Sequence, residues 1–96
     1  MALTKYGFIV TGDKFVQAQG TEKFFMKVVG VSLPSEGADV AKAMVAEGIQ
    51  LIELCGGFNP DWAQIISEAI EFKIPVGVVA TYEPKSVGLL NAIFAD

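Results

Sequence analysis

The residues with the most chemical potential in this chain run from Cys55 to Asn59, in the order Cys-Gly-Gly-Phe-Asn. A thiol followed by two glycines, just ahead of a helix start, is a setting in which backbone amides gather around an anion or lower a thiol pKa. The same run also reads as plain architecture: Gly56 and Gly57 permit a tight strand-to-helix turn, and Cys55 is a small buried apolar residue. Asp61 weighs against an external anion, because its carboxylate already occupies the first helical turn and repels phosphate. Glu53 is the second candidate. It stands between Ile52 and Leu54 in an apolar run, so its carboxylate needs a partner or water. Lys27, central in another apolar run, suits that role if the two strands are neighbours. A lone buried carboxylate would instead have a raised pKa and serve as an acid or base. Cys55 and Glu53 are thus the two candidate catalytic residues.

The rest of the alphabet narrows the chemistry. The chain has 96 residues, a net charge of -4, no histidine and seven basic residues, all of them lysine. Without histidine there is no Ser-His or Cys-His nucleophile activation and no His-ligated zinc. Without arginine there is no bidentate clamp for carboxylate or phosphate. Scattered lysines on an acidic chain make no basic footprint, so nucleic acid is not an expected partner. A single cysteine forms no internal disulfide and suits a reducing cytosol. No acidic cluster suggests a metal, no cofactor is expected, and no apolar run approaches the ~20 residues of a membrane span.

The elements that position these residues follow from periodicity. Apolar, β-branched runs at 6–11, 24–32, 49–55 and 76–82 predict four strands. A helix is expected between the second and third, capped by Ser35, with Glu36 and Asp39 in its opening turn and Gly48 as its left-handed stop. Another is expected between the third and fourth, capped by Asn59, with Pro60 at its first position and its end at Ile74-Pro75. Segment 13–23 reads either as a short helix or as a loop, with Phe15, Val16 and Gln19 spaced for a helix face. The result is a single α/β domain: a four-stranded, mostly parallel sheet with a βαβαβ core and a C-terminal helix. The nearly continuous apolar strands imply burial on both faces.

In such a sheet the ligand crevice lies beyond the carboxyl ends of the strands. That edge collects Ser32, Gly56, Gly57, Asn59, Thr81 and Tyr82 as candidate ligand-binding residues for a small metabolite or anion, beside Cys55. Phe58, Trp62 and Phe72 have the spacing of ordinary core aromatics. The tail, 85–96, reads as a helix that is apolar on more than one face. This predicts either closure of its own sheet or burial at the interface of a homo-oligomer.

Four pieces of the chain carry a family resemblance: Val28-Val29-Gly30-Val31, the helix 38–48, the IELCGGF run 52–58, and the strand 75–79. Together they resemble a small family of uncharacterised bacterial α/β proteins of similar length, across residues 6–82. Between Gly12 and Lys23 the chain lacks the basic, histidine-containing helix of that pattern. The resemblance implies the fold and carries no activity. The expected function is therefore binding or structural, in a self-associating protein, with a small enzyme using Cys55 or Glu53 as the alternative.

Overall fold

Strand β1 (Lys5–Thr11) is hydrogen-bonded on both sides, to β3 (Phe25–Val31) and to β4 (Leu51–Leu54), and both pairings are parallel. The computed structural model describes residues 2–95, so the expected tail helix is followed through Ala95, Asp96 lying outside the described residues. Strand β5 (Val76–Val78) extends the parallel set beyond β4. The expected parallel strands thus form with their carboxyl ends on one rim, but the last, expected over 76–82, ends at Val78, because β4 stops at Leu54 and leaves no further residues to pair with.

The fifth strand was not anticipated. Segment 13–23 is neither helix nor loop: Phe15–Gly20 forms β2, antiparallel to β3, and the sheet order is β2-β3-β1-β4-β5. The helical spacing of Phe15, Val16 and Gln19 misled because an edge strand has little burial to impose a period of two; every residue of β2 is exposed. Phe15 lies over Gly30, where any Cβ would meet its ring and the Asp13 carbonyl. Gly30 is needed there to let the chain cross from β1 to the sheet edge.

Helix α1 (Gly37–Ala46) links β3 to β4 and crosses β1 at Gly7, where a Cβ would come within 2.7 Å of the Met44 sulfur. Its start differs from expectation. Ser35 lies in a 3-10 turn over Pro34–Glu36 and does not cap; the Glu36 carboxylate accepts the Ser32 and Leu33 amides instead. Gly48 ends the helical segment in the left-handed region, with φ 86°. Helix α2 (Pro60–Ala69) starts as expected, with the Asp61 amide donating to Asn59 Oδ1 at 3.0 Å. It stops well short of Pro75, because Glu71 and Phe72 take positive φ and turn the chain away. Phe72 is consequently exposed rather than a core aromatic. After a second 3-10 turn (Pro84–Ser86), α3 (Val87–Ile93) completes the fold.

Both long helices lie on one face of the sheet. The reason is handedness: the steps β3 to β4 and β4 to β5 run in the same direction across the sheet, and right-handed crossovers then place both helices on the same side. The opposite step, β1 to β3, is made by β2 and brings no helix. The core accordingly packs Ile9, Val29, Ile52 and Leu54 against Ala41, Met44, Ile66 and Phe58. The other face carries Tyr6, Phe8, Val10, Met26, Val28 and Leu51, all only half-buried. The expectation of burial on both faces fails because a strand took the place of a crossover helix.

Replacing Gly30 by alanine tests the β1–β2 crossing. Its Cβ must displace the Phe15 ring and the Asp13 backbone, so urea unfolding should show a loss of about 1–3 kcal/mol. An unchanged midpoint would mean the crossing is looser than described.

Candidate functional site

Thr11 ends β1 in the position next to the end of β4, and this brings it against Cys55. The Thr11 amide donates to Cys55 Sγ at 3.2 Å and its hydroxyl lies 3.4 Å from the same sulfur. The Gly57 amide donates to Sγ at 3.4 Å, and the Phe58 amide donates to the Cys55 carbonyl at 3.0 Å. Burial pushes the half-buried thiol up, but the Thr11 hydroxyl and the amides of Thr11, Gly57 and Phe58 outweigh it, leaving the pKa below the ordinary 9.0. Cys55 is thus a thiol whose ionised form is favoured by backbone dipoles and the Thr11 hydroxyl rather than by a cation.

The two glycines serve space, not conformation. Neither has positive φ. A Cβ at Gly57 would collide with the Thr11 hydroxyl, and one at Gly56 would stand 3.0 Å from the Tyr82 hydroxyl. The Gly57 amide is directed at the protein's own sulfur, so the anion this turn favours is Cys55 itself.

At the turn that follows Cys55, a cleft of about 300 Å³ is walled by Gly56, Phe58 and Asn59 from the β4–α2 turn, Val79 and Tyr82 beyond β5, and Leu90 and Phe94 around α3. The rim therefore unites Gly56, Asn59 and Tyr82 of the residues expected there. Cys55 and Gly57 lie outside that lining, as does the exposed Thr81. Ser32 belongs to a separate cluster: its amide donates to Glu36, whose carboxylate is held low by the Leu33 amide and then by Lys14, 3.1 Å away. Sequence reasoning missed Leu90, Asn91 and Phe94, since nothing local says that a tail helix will fold back over a particular turn. Thr11 was legible as a rim residue, but its pairing with Cys55 depends on β1 and β4 being neighbours.

Glu53 is not at the rim. Its carboxylate accepts the Tyr6 hydroxyl at 2.7 Å on the helix-free face. The expected Lys27 partnership does not form, because β1 separates β3 from β4 and Lys27 points to the helix side, where it meets Glu47 at 2.7 Å. Tyr6 is pushed up from 10.0 to about 12, first by burial and then by Glu53, which accepts its proton and repels a phenolate. With the folded value above the unfolded one, this pair's stabilisation is complete below pH 10.0 and lost as pH rises through about 12. Among the described residues no three potential ligands of the His, Cys, Asp or Glu kind gather into a metal site.

Two measurements check these assignments. Alkylation of Cys55 by iodoacetamide, followed against pH, should have its midpoint below 9.0, and Thr11→Val should move it upward; an unmoved midpoint removes Thr11 from the site. Ultraviolet titration should place Tyr6 near 12, and Glu53→Gln should bring it down only part of the way, because burial is the larger cause. A complete return to the ordinary value would assign the shift to Glu53 alone.

No curated protein and no solved structure matches the chain. A family match does cover nearly all of it, from the residue before β1 to the residue after Phe94: across residues 4–95 the chain belongs to the Family of unknown function (DUF6506).

Proposed function

We propose that this protein binds a small, uncharged, partly aromatic molecule in the cleft between the β4–α2 turn and α3, at the turn that follows Cys55. The observation that carries this reading is convergence. Three segments distant in sequence supply aromatic and aliphatic walls, Phe58, Tyr82, Leu90 and Phe94, around the polar ends of Asn59 and Asn91. Apolar walls with a few placed polar groups are the usual make-up of a small-molecule site. The volume of about 300 Å³ lies at the small end of the ligand-pocket range. The position, outside the carboxyl ends of parallel strands, is where open α/β sheets take their ligands. Asp61 in the first turn of α2 disfavours an anionic ligand. A lone, unpaired thiol fits a reducing compartment such as the cytosol.

One observation favours a second reading, a small enzyme with a cysteine nucleophile: the amides and hydroxyl directed at Cys55 lower its pKa and so favour the nucleophilic form. In that reading the Cys55 sulfur adds to an electrophilic double bond of a ligand seated at this turn, forming a C–S bond as the π bond breaks and the displaced electron pair takes a proton from solvent. Glu53, on the far side of the sheet, takes no part.

Titrating ¹⁵N-labelled protein with benzamide and with benzoate tests the first reading. Benzamide should shift the side-chain amides of Asn59 and Asn91 and slow alkylation of Cys55, whereas benzoate should act more weakly. Shifts scattered over the surface, or a stronger response to benzoate, would overturn it.

A further inference from the structure

The outer edge of β2 is the longer of the two unpaired edges of the sheet. The Thr21 amide donates to the Phe24 carbonyl at 2.7 Å, so these two form a hydrogen-bonded pair at the close of the β2–β3 hairpin. Antiparallel ladders alternate, which makes Phe15, Gln17 and Gln19 the residues bonded to β3. The bonds of β3 agree, because the Phe25 amide and the Val31 carbonyl are taken on the β1 side. The amides and carbonyls of Val16, Ala18 and Gly20 therefore point outward from the sheet.

Native sheets ordinarily protect such an edge by shortness, proline, a bulge or a charge. The opposite edge follows that rule: β5 has three residues, and Pro75 stands directly before it. Strand β2 does not. Its residues, FVQAQG, carry no charge and no proline, and their register with β3 runs without a bulge. All of them are exposed. A groove of about 480 Å³ opens between Val16 and the α1 residues Asp39 and Val40, so the helix does not cover this edge.

We propose that β2 pairs edge to edge with β2 of a second copy, antiparallel about a two-fold axis, joining two five-stranded sheets into one. Only outward-facing residues can form the hydrogen-bonded pairs, which leaves two central registers, one centred on Gln17 and one on Ala18. The register centred on Ala18 sets Asp13 beside the partner's Lys23 and Lys14 beside the partner's Glu22. The one centred on Gln17 sets all of these charges against uncharged residues. An acid-base pair precedes the strand and another follows it, and this order is its own complement when read antiparallel. That charge order selects a like chain as the partner. Lys14 already meets Glu36 at 3.1 Å, but its side chain is 68% accessible and has room for a second carboxylate. In the same register Ala18 pairs with itself, and Gln17 meets the partner's Gln19 amide to amide. Val16 faces the partner's Gly20, whose missing side chain admits the isopropyl group. One strand edge buries less than the ~1,000 Å² of a stable interface, so the association is weak and concentration-dependent. It stops at two chains, since only the short β5 edge is left. Helix α3 packs against residues that follow β5, at the other end of the sheet, and takes no part.

Hydrogen exchange on the unaltered full chain reads alternate residues of β2. In dilute protein the Val16, Ala18 and Gly20 amides should exchange freely, while those of Gln17 and Gln19 are protected by β3. At millimolar concentration the first three should slow by roughly 10-fold, as most of the chain becomes paired. Ala18→Pro removes an outward amide and no bond to β3, so sedimentation should show a folded chain that no longer dimerises. Asp13→Lys and Lys23→Asp should each weaken the dimer by about 3- to 10-fold, and the two together should restore it. The exchange and charge measurements stand even if Ala18→Pro fails to fold. The proposal is overturned by a chain that stays monomeric at millimolar concentration. A dimer whose Val16, Ala18 and Gly20 amides stay in fast exchange places the contact on the bare sheet face or α3 and equally overturns it. So do single charge reversals without effect, or a double reversal no tighter than the singles.

Discussion

Parallel pairing of β1 with a strand on each side is the constraint from which the rest follows. It sets Thr11 against Cys55, separates Lys27 from Glu53, and gives both helical crossovers the same sense across the sheet. Once that sense is set, right-handedness leaves no freedom over where the helices go. One face gains a core and the other is left with half-covered side chains. The rim with its thiol and the bare face are two consequences of one strand order.

The thiol site shows how a helix start can be occupied from within. An amide-rich turn ahead of a helix is ordinarily a place for an external anion. Here the chain uses the Gly57 amide on its own sulfur, and the glycine is needed because only its missing side chain lets the Thr11 hydroxyl reach Cys55. Half-burial raises the thiol pKa, and dipoles instead of a cation lower it, which suits a chain with no histidine or arginine. What remains beside it is an apolar cleft, closed by α3. The tail thus divides its apolar residues: Leu90 and Phe94 wall the cleft, while Leu89 and Ile93 stay accessible.

The buried polar groups follow the same economy. Lys27, with its side chain mostly covered, meets Glu47 at the end of α1, and Glu53 meets Tyr6. Each pair joins residues of neighbouring elements that lie at least twenty positions apart in sequence. Neither needs a ligand to satisfy it.

Local pattern was sufficient for much of this. The runs that became β1, β3, β4 and β5 were legible from β-branched apolar residues, the Asn59 cap and Gly48 stop from residue type, and the rim from alternation of strand and helix. These features depend on interactions within a few residues, and their signal lies in adjacent positions. Strand β2, the early end of α2 and the partners of Cys55, Glu53 and Lys27 depend on which strands lie side by side. An edge strand without burial carries no period, and a hydrogen bond between strands carries no local mark. The order β2-β3-β1-β4-β5 had to form before those contacts existed, and that order is a property of the whole packed chain.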